Sequence, residues 1–143
     1  MGKKRIIQKA EGTAEGAKSH LAAKLPKKKL EFGILNILST YNNTLISLAD
    51  REGRVLISSS SGAMGFKGAR KGTPYAASKV AESVAERAKL IGLREIGIKV
   101  RGIGAGRESA VRTLAAKGFD IQFIRALTPV PHNGPNPPKP RRV

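Results

Sequence analysis

Thr73-Pro-Tyr-Ala-Ala-Ser-Lys-Val-Ala-Glu-Ser-Val-Ala-Glu-Arg-Ala-Lys-Leu-Ile-Gly92 is followed, after Leu93 and Arg94, by Glu95-Ile-Gly-Ile-Lys-Val100. The first stretch opens as a helix, with Thr73 as N-cap and Pro74 at the first helical position, where its missing N–H costs nothing. Ala77, Val80, Ala81, Val84, Ala88 and Ile91 recur at three- and four-residue steps and form one apolar stripe. The stripe is mostly alanine, which predicts a helix lying close against a sheet. Gly92 stops it. The second stretch is short and rich in isoleucine and valine, so it reads as a strand. The pattern then repeats. Gly102-Ile-Gly-Ala-Gly106 is a loop. Arg107 to Lys117 is a second helix with Ala110, Val111, Leu114 and Ala115 inward, Gly118 is its stop, and Asp120 to Leu127 is a strand. Strand, helix, strand in succession implies parallel strands joined by right-handed crossovers.

Upstream, the period falls to that of strands. Gly33–Ser39, Thr44–Ala49 and Arg54–Ser59 are three strands separated by the turns Asn42-Asn43 and Asp50-Arg-Glu-Gly53, an antiparallel meander. The element order is therefore β-β-β-α-β-α-β. It predicts a single α/β domain, one mixed five-stranded sheet with two helices packed against it.

Charge divides the 143 residues into three segments. There are 27 Lys and Arg against 10 Asp and Glu, a formal +17. Residues 1–30 form a basic extension with nine cations and two acids, expected to be disordered in isolation, although residues 18–25 are compatible with a short helix. Residues 31–127 are the folded domain. Residues 128–143 form a Pro-rich tail ending Lys139-Pro-Arg141-Arg142, in which the proline density forbids helix and sheet ladders. Such an excess of charge calls for a polyanion, and its footprint is that of a nucleic-acid binder. The chain has no cysteine, which excludes disulfides, thiolate metal sites and a cysteine nucleophile. No apolar run approaches the roughly 18 residues of a membrane span, so no membrane partner is expected. The first residues lack the apolar core of a secretory signal, and cytoplasm is the expected compartment.

Two Gly-rich loops precede the two helices. Gly65-Phe-Lys-Gly-Ala-Arg-Lys-Gly72 offers Lys67, Arg70 and Lys71 as phosphate contacts. It lacks the spacing of a Walker loop. In the second loop, Gly102, Gly104 and Gly106 are read as glycines that let backbone approach a phosphate, flanked by Arg101, Arg107 and Arg112. The rival is a dinucleotide-binding turn, with Asp120 at the spacing of a ribose ligand. Arg107 stands where that turn needs a small residue. Catalysis has little support. His20 and His132 have no partner at metal-ligand spacing, and no serine sits in a nucleophile elbow. No cofactor, catalytic residue or metal ligand is expected. With aromatics at 4% and several of them expected in the core, backbone and shape recognition is expected more than base stacking.

Four motifs taken together resemble the bacterial-type small-ribosomal-subunit protein S-eleven family. They are Tyr41-Asn-Asn-Thr44, Gly65 to Ala77, Gly102-Ile-Gly-Ala-Gly-Arg-Glu-Ser109 and Thr128-Pro-Val-Pro-His-Asn-Gly134, in that order over residues 33–143. The resemblance implies a ribonuclease-H-like domain without catalytic acids, on the platform of the small ribosomal subunit. There it would bridge several ribosomal RNA helices and help form the cleft for the duplex between messenger and ribosomal RNA. The partners implied are small-subunit ribosomal RNA and small-subunit proteins S-seven and S-eighteen, with initiation factor three and messenger RNA nearby. Carried onto this chain, the RNA contacts are Asn42, Asn43, Lys67, Arg70, Lys71, Arg107, His132, Asn133, Lys139, Arg141 and Arg142. The chain departs from the family at Ile103 and Ala105, where prolines are usual, at Pro135-Asn136, where Cys-Arg is usual, and at Ala126, where Asp is usual. The competing expectations are a free-standing nucleic-acid-binding or chaperone protein and a nucleotide-dependent enzyme.

Overall fold

A computed structural model describes residues 29–142 of the chain. Expectations for the extension up to residue 28, including the short helix over 18–25, fall outside the described residues. The rest follows the expected order: β1 (Phe32–Ser39), β2 (Thr44–Ala49), β3 (Val55–Ser60), α1 (Pro74–Ile91), β4 (Glu95–Gly102), α2 (Gly106–Ala116) and β5 (Asp120–Ala126). One element is additional, a 3-10 turn at Gly68–Gly72 inside the first Gly-rich loop.

The five strands form one sheet in the order β3-β2-β1-β4-β5. β2 is antiparallel to both β1 and β3, whereas β1, β4 and β5 are mutually parallel. Consequently β1, β3, β4 and β5 all point the same way. The crossovers from β3 to β4 and from β4 to β5 step in the same direction across the sheet. Right-handed connections then put both helices on the same face. Alternation supplies the rest: Leu35, Ile37, Ile46, Leu48, Ile57, Ile96, Ile98 and Val100 project from the sheet into the core against the helices.

α1 meets both sheet and α2 with small side chains. Ala76, Ala77, Val80, Ala81, Val84, Ala85, Ala88 and Ile91 are all buried, so the expected stripe is there and is wider by Ala76 and Ala85. Its ends are those that local chemistry dictates. Thr73 Oγ1 accepts the Ala76 N–H at 3.3 Å, and Gly92 closes the helix in the left-handed region at φ 91. α2 buries a narrower face, Ala110 and Leu114, with Val111 half-buried. Ala115, expected inward, is exposed. Successive buried residues of α2 are four apart (Gly106, Ala110, Leu114), and position 115 already turns past the edge of that line. α2 also begins one residue earlier than expected, at Gly106, and has no side-chain cap. On the helix-free face, the Phe123 ring lies directly over Gly97, where a Cβ would stand 2.3 Å from the ring. This close approach explains a glycine in the middle of β4.

Candidate nucleic-acid interface

Because four of the five strands are parallel, the connections that leave their carboxyl ends share one end of the molecule. They are residues 40–43 after β1, 61–73 after β3, 103–105 after β4 and the tail from Leu127 after β5. In open α/β sheets this is the end at which ligands bind. Asn42, Asn43, Lys67, Arg70, Lys71 and Arg107 are all on these connections or on the first turn of α2, so residues up to 65 positions apart in sequence meet at one surface.

The connections are tied to one another. The Gly104 N–H donates to the Ser39 carbonyl at 3.0 Å, the Ser61 N–H to that of Thr44 at 3.0 Å, and the Leu127 N–H to that of Val100 at 2.8 Å. Thr128 Oγ1 accepts the Gly102 N–H at 3.2 Å. The turn after β1 closes on itself, with Thr40 N–H on the Asn43 carbonyl and Asn43 N–H on Thr40 Oγ1. Beneath the loops lie three fully buried small polar side chains. Ser39 and Thr44 hydroxyls are 3.4 Å apart, and Ser61 Oγ donates to the Thr44 carbonyl.

The second Gly-rich loop is built differently from a phosphate cradle. A Cβ on Gly102 would stand 2.0 Å from the Ser39 carbonyl oxygen, one on Gly104 2.3 Å from that of Thr40, and one on Gly106 2.7 Å from both Ala77 Cβ and Thr44 Oγ1. The space beside each glycine is thus filled by the chain itself, and the N–H groups of Gly102 and Gly104 are already bonded within it. These glycines let the loop lie flat on the end of β1. Their product is the position of Arg107, half-buried at the head of α2. Beside Arg107 a groove of about 470 Å³ is lined by Val100, Val111 and Ile124 together with Glu108. The dinucleotide alternative fails on geometry. Asp120 pairs with Glu95 at the amino end of β4, a whole strand of roughly 20 Å from the loop that follows Gly102.

Charge is distributed along the strand axis. Among the described residues, the connections 40–43, 61–73, 103–105 and 127–142 contain no Asp or Glu. Lys67, Arg70, Lys71 and Arg107 are in none of the ion pairs found, which join Arg54 to Glu52, Lys79 and Lys117 to Glu82, and Arg112 to Glu108. Glu31, Asp50, Glu52, Glu95 and Asp120 lie instead at the opposite end, at the amino termini of β1, β4 and β5 and in the β2–β3 turn. Glu82, half-buried on α1 beside Lys117 at the end of α2, has its carboxyl held below the ordinary range by a hydrogen bond from Lys79 and by the charge of Lys117. Unpaired cations on acid-free loops are what polyanion binding requires, since no internal partner must be released first.

The tail carries neither helix nor strand over residues 127–142, and His132, Asn133, Lys139, Arg141 and Arg142 are exposed. Asn133 is the one described non-glycine residue with positive φ, at 56, and it bends the chain at Pro131-His132-Asn133-Gly134. Of the aromatics, several of which are expected in the core, Phe119 is buried and the other phenylalanines are half-buried, whereas the tyrosines are exposed. Tyr41 is 74% exposed and Tyr75 65%, both at this end.

No helix among the described residues is long and apolar enough to cross a membrane. The family model described as Ribosomal protein S11 matches residues 33–142, from β1 through the tail, about three-quarters of the chain. The basic end, the acid-free connections and this match agree: the chain belongs to the ribosomal protein S11 family, structural constituents of the small ribosomal subunit that bind ribosomal RNA.

Proposed function

We propose that this chain occupies the platform of the small subunit and bridges several ribosomal RNA helices there, with its carboxyl-end connections as the specific surface and its two termini as arms. Lys67, Arg70, Lys71 and Arg107 contact phosphates, and Asn42, Asn43, His132 and Asn133 hydrogen-bond to RNA. Lys139, Arg141 and Arg142 carry a second RNA segment on the tail. Gly102, Gly104 and Gly106 act through the position they give Arg107. In this reading residues 1–30 are a basic extension, 31–127 the folded RNA-binding domain and 128–143 the tail. By resemblance, proteins S-seven and S-eighteen are neighbours, initiation factor three is close by, and the bound RNA borders the cleft for the duplex between messenger and ribosomal RNA.

What carries the reading is the convergence of cations outside the ion pairs from separate acid-free connections on one end. A single loop could hold one phosphate; several loops and a tail leaving from the same end can hold more than one RNA segment. The test is binding to a ribosomal RNA fragment containing the platform helices, measured against salt. Six to ten phosphate contacts predict a loss of roughly 10³- to 10⁵-fold in affinity between about 50 and 200 mM salt. A flat response, or release of the chain from small subunits in a mild salt wash, would refute it.

A further inference from the structure

The six aromatic residues of the chain fall into two groups in the fold. Phe32, Phe119 and Phe123 are half-buried or buried, and each ring lies under a cation: Arg51 of the β2–β3 turn, Lys89 of α1 and Arg125 of β5 respectively. Tyr41, Phe66 and Tyr75 are on or beside the acid-free connections, among Lys67, Arg70 and Lys71. A singly exposed aromatic is ordinary. Here both tyrosines of the chain stand out at the end where Lys67, Arg70, Lys71 and Arg107 gather.

Each is mounted on fixed backbone. Tyr41 lies in the turn that Thr40 and Asn43 close, and its carbonyl is packed so tightly on Gly72 that a Cβ there would stand 2.0 Å away. Tyr75 is in the first turn of α1. Its ring meets Phe66 edge-on at 6.0 Å and 84°, and the Lys79 ammonium lies 5.7 Å from its centroid. Despite these neighbours it remains mostly exposed. Gly72 therefore bridges the two tyrosine-bearing segments, and the cations Arg70 and Lys71 lie between them in sequence. A cationic surface with rigid, outward aromatic rings is the arrangement that binds unpaired nucleotides. Phosphates are held by the cations and each free base has a π-face to stack. Bases inside a duplex have no such face to offer.

We propose that Tyr41 and Tyr75 are stacking platforms for unpaired bases of an RNA loop or bulge, so that this end reads single-stranded nucleotides and not only the phosphates of a helix. The proposal rests on the RNA-binding reading above and adds to it the kind of RNA segment bound. Phe66 acts as a positioning residue that braces Tyr75.

The experiment uses the purified full chain and two RNAs with the same number of phosphates. One is a hairpin carrying 2-aminopurine in its unpaired loop; the other is a blunt duplex. The wild-type chain should bind the hairpin more tightly and change the 2-aminopurine emission. Replacing both Tyr41→Leu and Tyr75→Leu should cost hairpin affinity roughly 5- to 150-fold per stacked base. Duplex binding and the salt slope should stay as they were, because no phosphate contact is removed. Tyr41→Phe and Tyr75→Phe keep the π-face and should keep most of the affinity, and both pairs should melt like wild type because the side chains are exposed. Hairpin binding that is steep in salt but indifferent to the leucine pair would overturn the stacking while leaving the RNA reading intact. Equal loss on hairpin and duplex would overturn it as well. Failure of the wild-type chain to bind either RNA would defeat the RNA reading itself, and the stacking with it.

Discussion

Gly104→Ala separates two roles that a loop glycine can have. The N–H of Gly104 donates to the Ser39 carbonyl at 3.0 Å, and an added Cβ would stand 2.3 Å from the Thr40 carbonyl oxygen and 2.4 Å from Ser39 Oγ. Neither neighbour is a flexible chain end. To restore an ordinary contact near 3.4 Å, the loop must retreat by about 1 Å, which carries the Gly104–Ser39 bond beyond hydrogen-bonding range. Leaving that buried carbonyl without its donor costs about 1–3 kcal/mol. The overpacking adds about 1–3 kcal/mol, for a total of about 2–6 kcal/mol. On a domain of this size that corresponds to a melting temperature lower by on the order of 10–30 °C. Gly118→Ala is the control. At φ 79 with nothing within 4 Å of its would-be Cβ, it incurs only the left-handed backbone strain, roughly 1–2 kcal/mol. Urea and thermal unfolding followed by circular dichroism measure both. If Gly104→Ala were no more destabilising than Gly118→Ala, the packing argument would be wrong. If it kept full stability but lost RNA affinity, the glycine would be facing the ligand after all.

Replacing Lys67, Arg70 and Lys71 together with glutamine should lower the slope of log affinity against log salt by up to about three, roughly one per phosphate contact, as read from titrations at several salt concentrations. Thr73→Ala should destabilise the fold by about 0.5–2 kcal/mol in denaturant unfolding, since Thr73 Oγ1 caps α1 and also donates to the Arg70 carbonyl at 2.7 Å, coupling the helix to the cationic turn. Glu82 should titrate below an ordinary carboxylate because of Lys79 and Lys117. Its contribution to stability is therefore present above the ordinary carboxylate range and lost as pH falls through its lowered value. Carboxyl NMR should show the depression, and Lys79→Met should relieve most of it.

Elements whose limits are set by neighbours in sequence are legible from the residues themselves. Thr73-Pro74 and Gly92 bracket α1 because caps act within one turn. β2 is equally plain, between its Asn-Asn and Asp-Arg-Glu-Gly turns. β3 starts one residue later than its sequence pattern, where the β2 register shifts between Leu48 and Ala49 opposite it. A bulge answers to the partner strand, which local pattern cannot register. The same limit explains the site. Lys67, Arg70, Lys71 and Arg107 stand out in the sequence as charges among glycines. The work of Gly102, Gly104 and Gly106 does not, because a glycine making room for a phosphate and one making room for Ser39, Thr40 or Ala77 look alike in sequence. The deciding contacts lie about 30 to 60 positions away. Tyr41 and Tyr75 are likewise unreadable as surface residues, since nothing local distinguishes an aromatic at the open end of a sheet from one beneath it.

Five of the eight acids among the described residues stand at one end of the strands, and Lys67, Arg70, Lys71 and Arg107 stand at the other, which makes the folded domain an electric dipole as well as a cation. In the field of a polyanion it experiences a torque before any contact forms, and it arrives with the strand carboxyl ends leading. Encounter is then biased toward the productive orientation, with gains in association rate that can reach roughly 10- to 10³-fold at low salt for steered partners. At the other end Glu31, Asp50, Glu52, Glu95 and Asp120 are interleaved with Arg51, Arg54 and Arg94, so the charges there nearly cancel. A protein that must embed one end among crowded RNA segments thereby meets them with that end first more often than chance would allow.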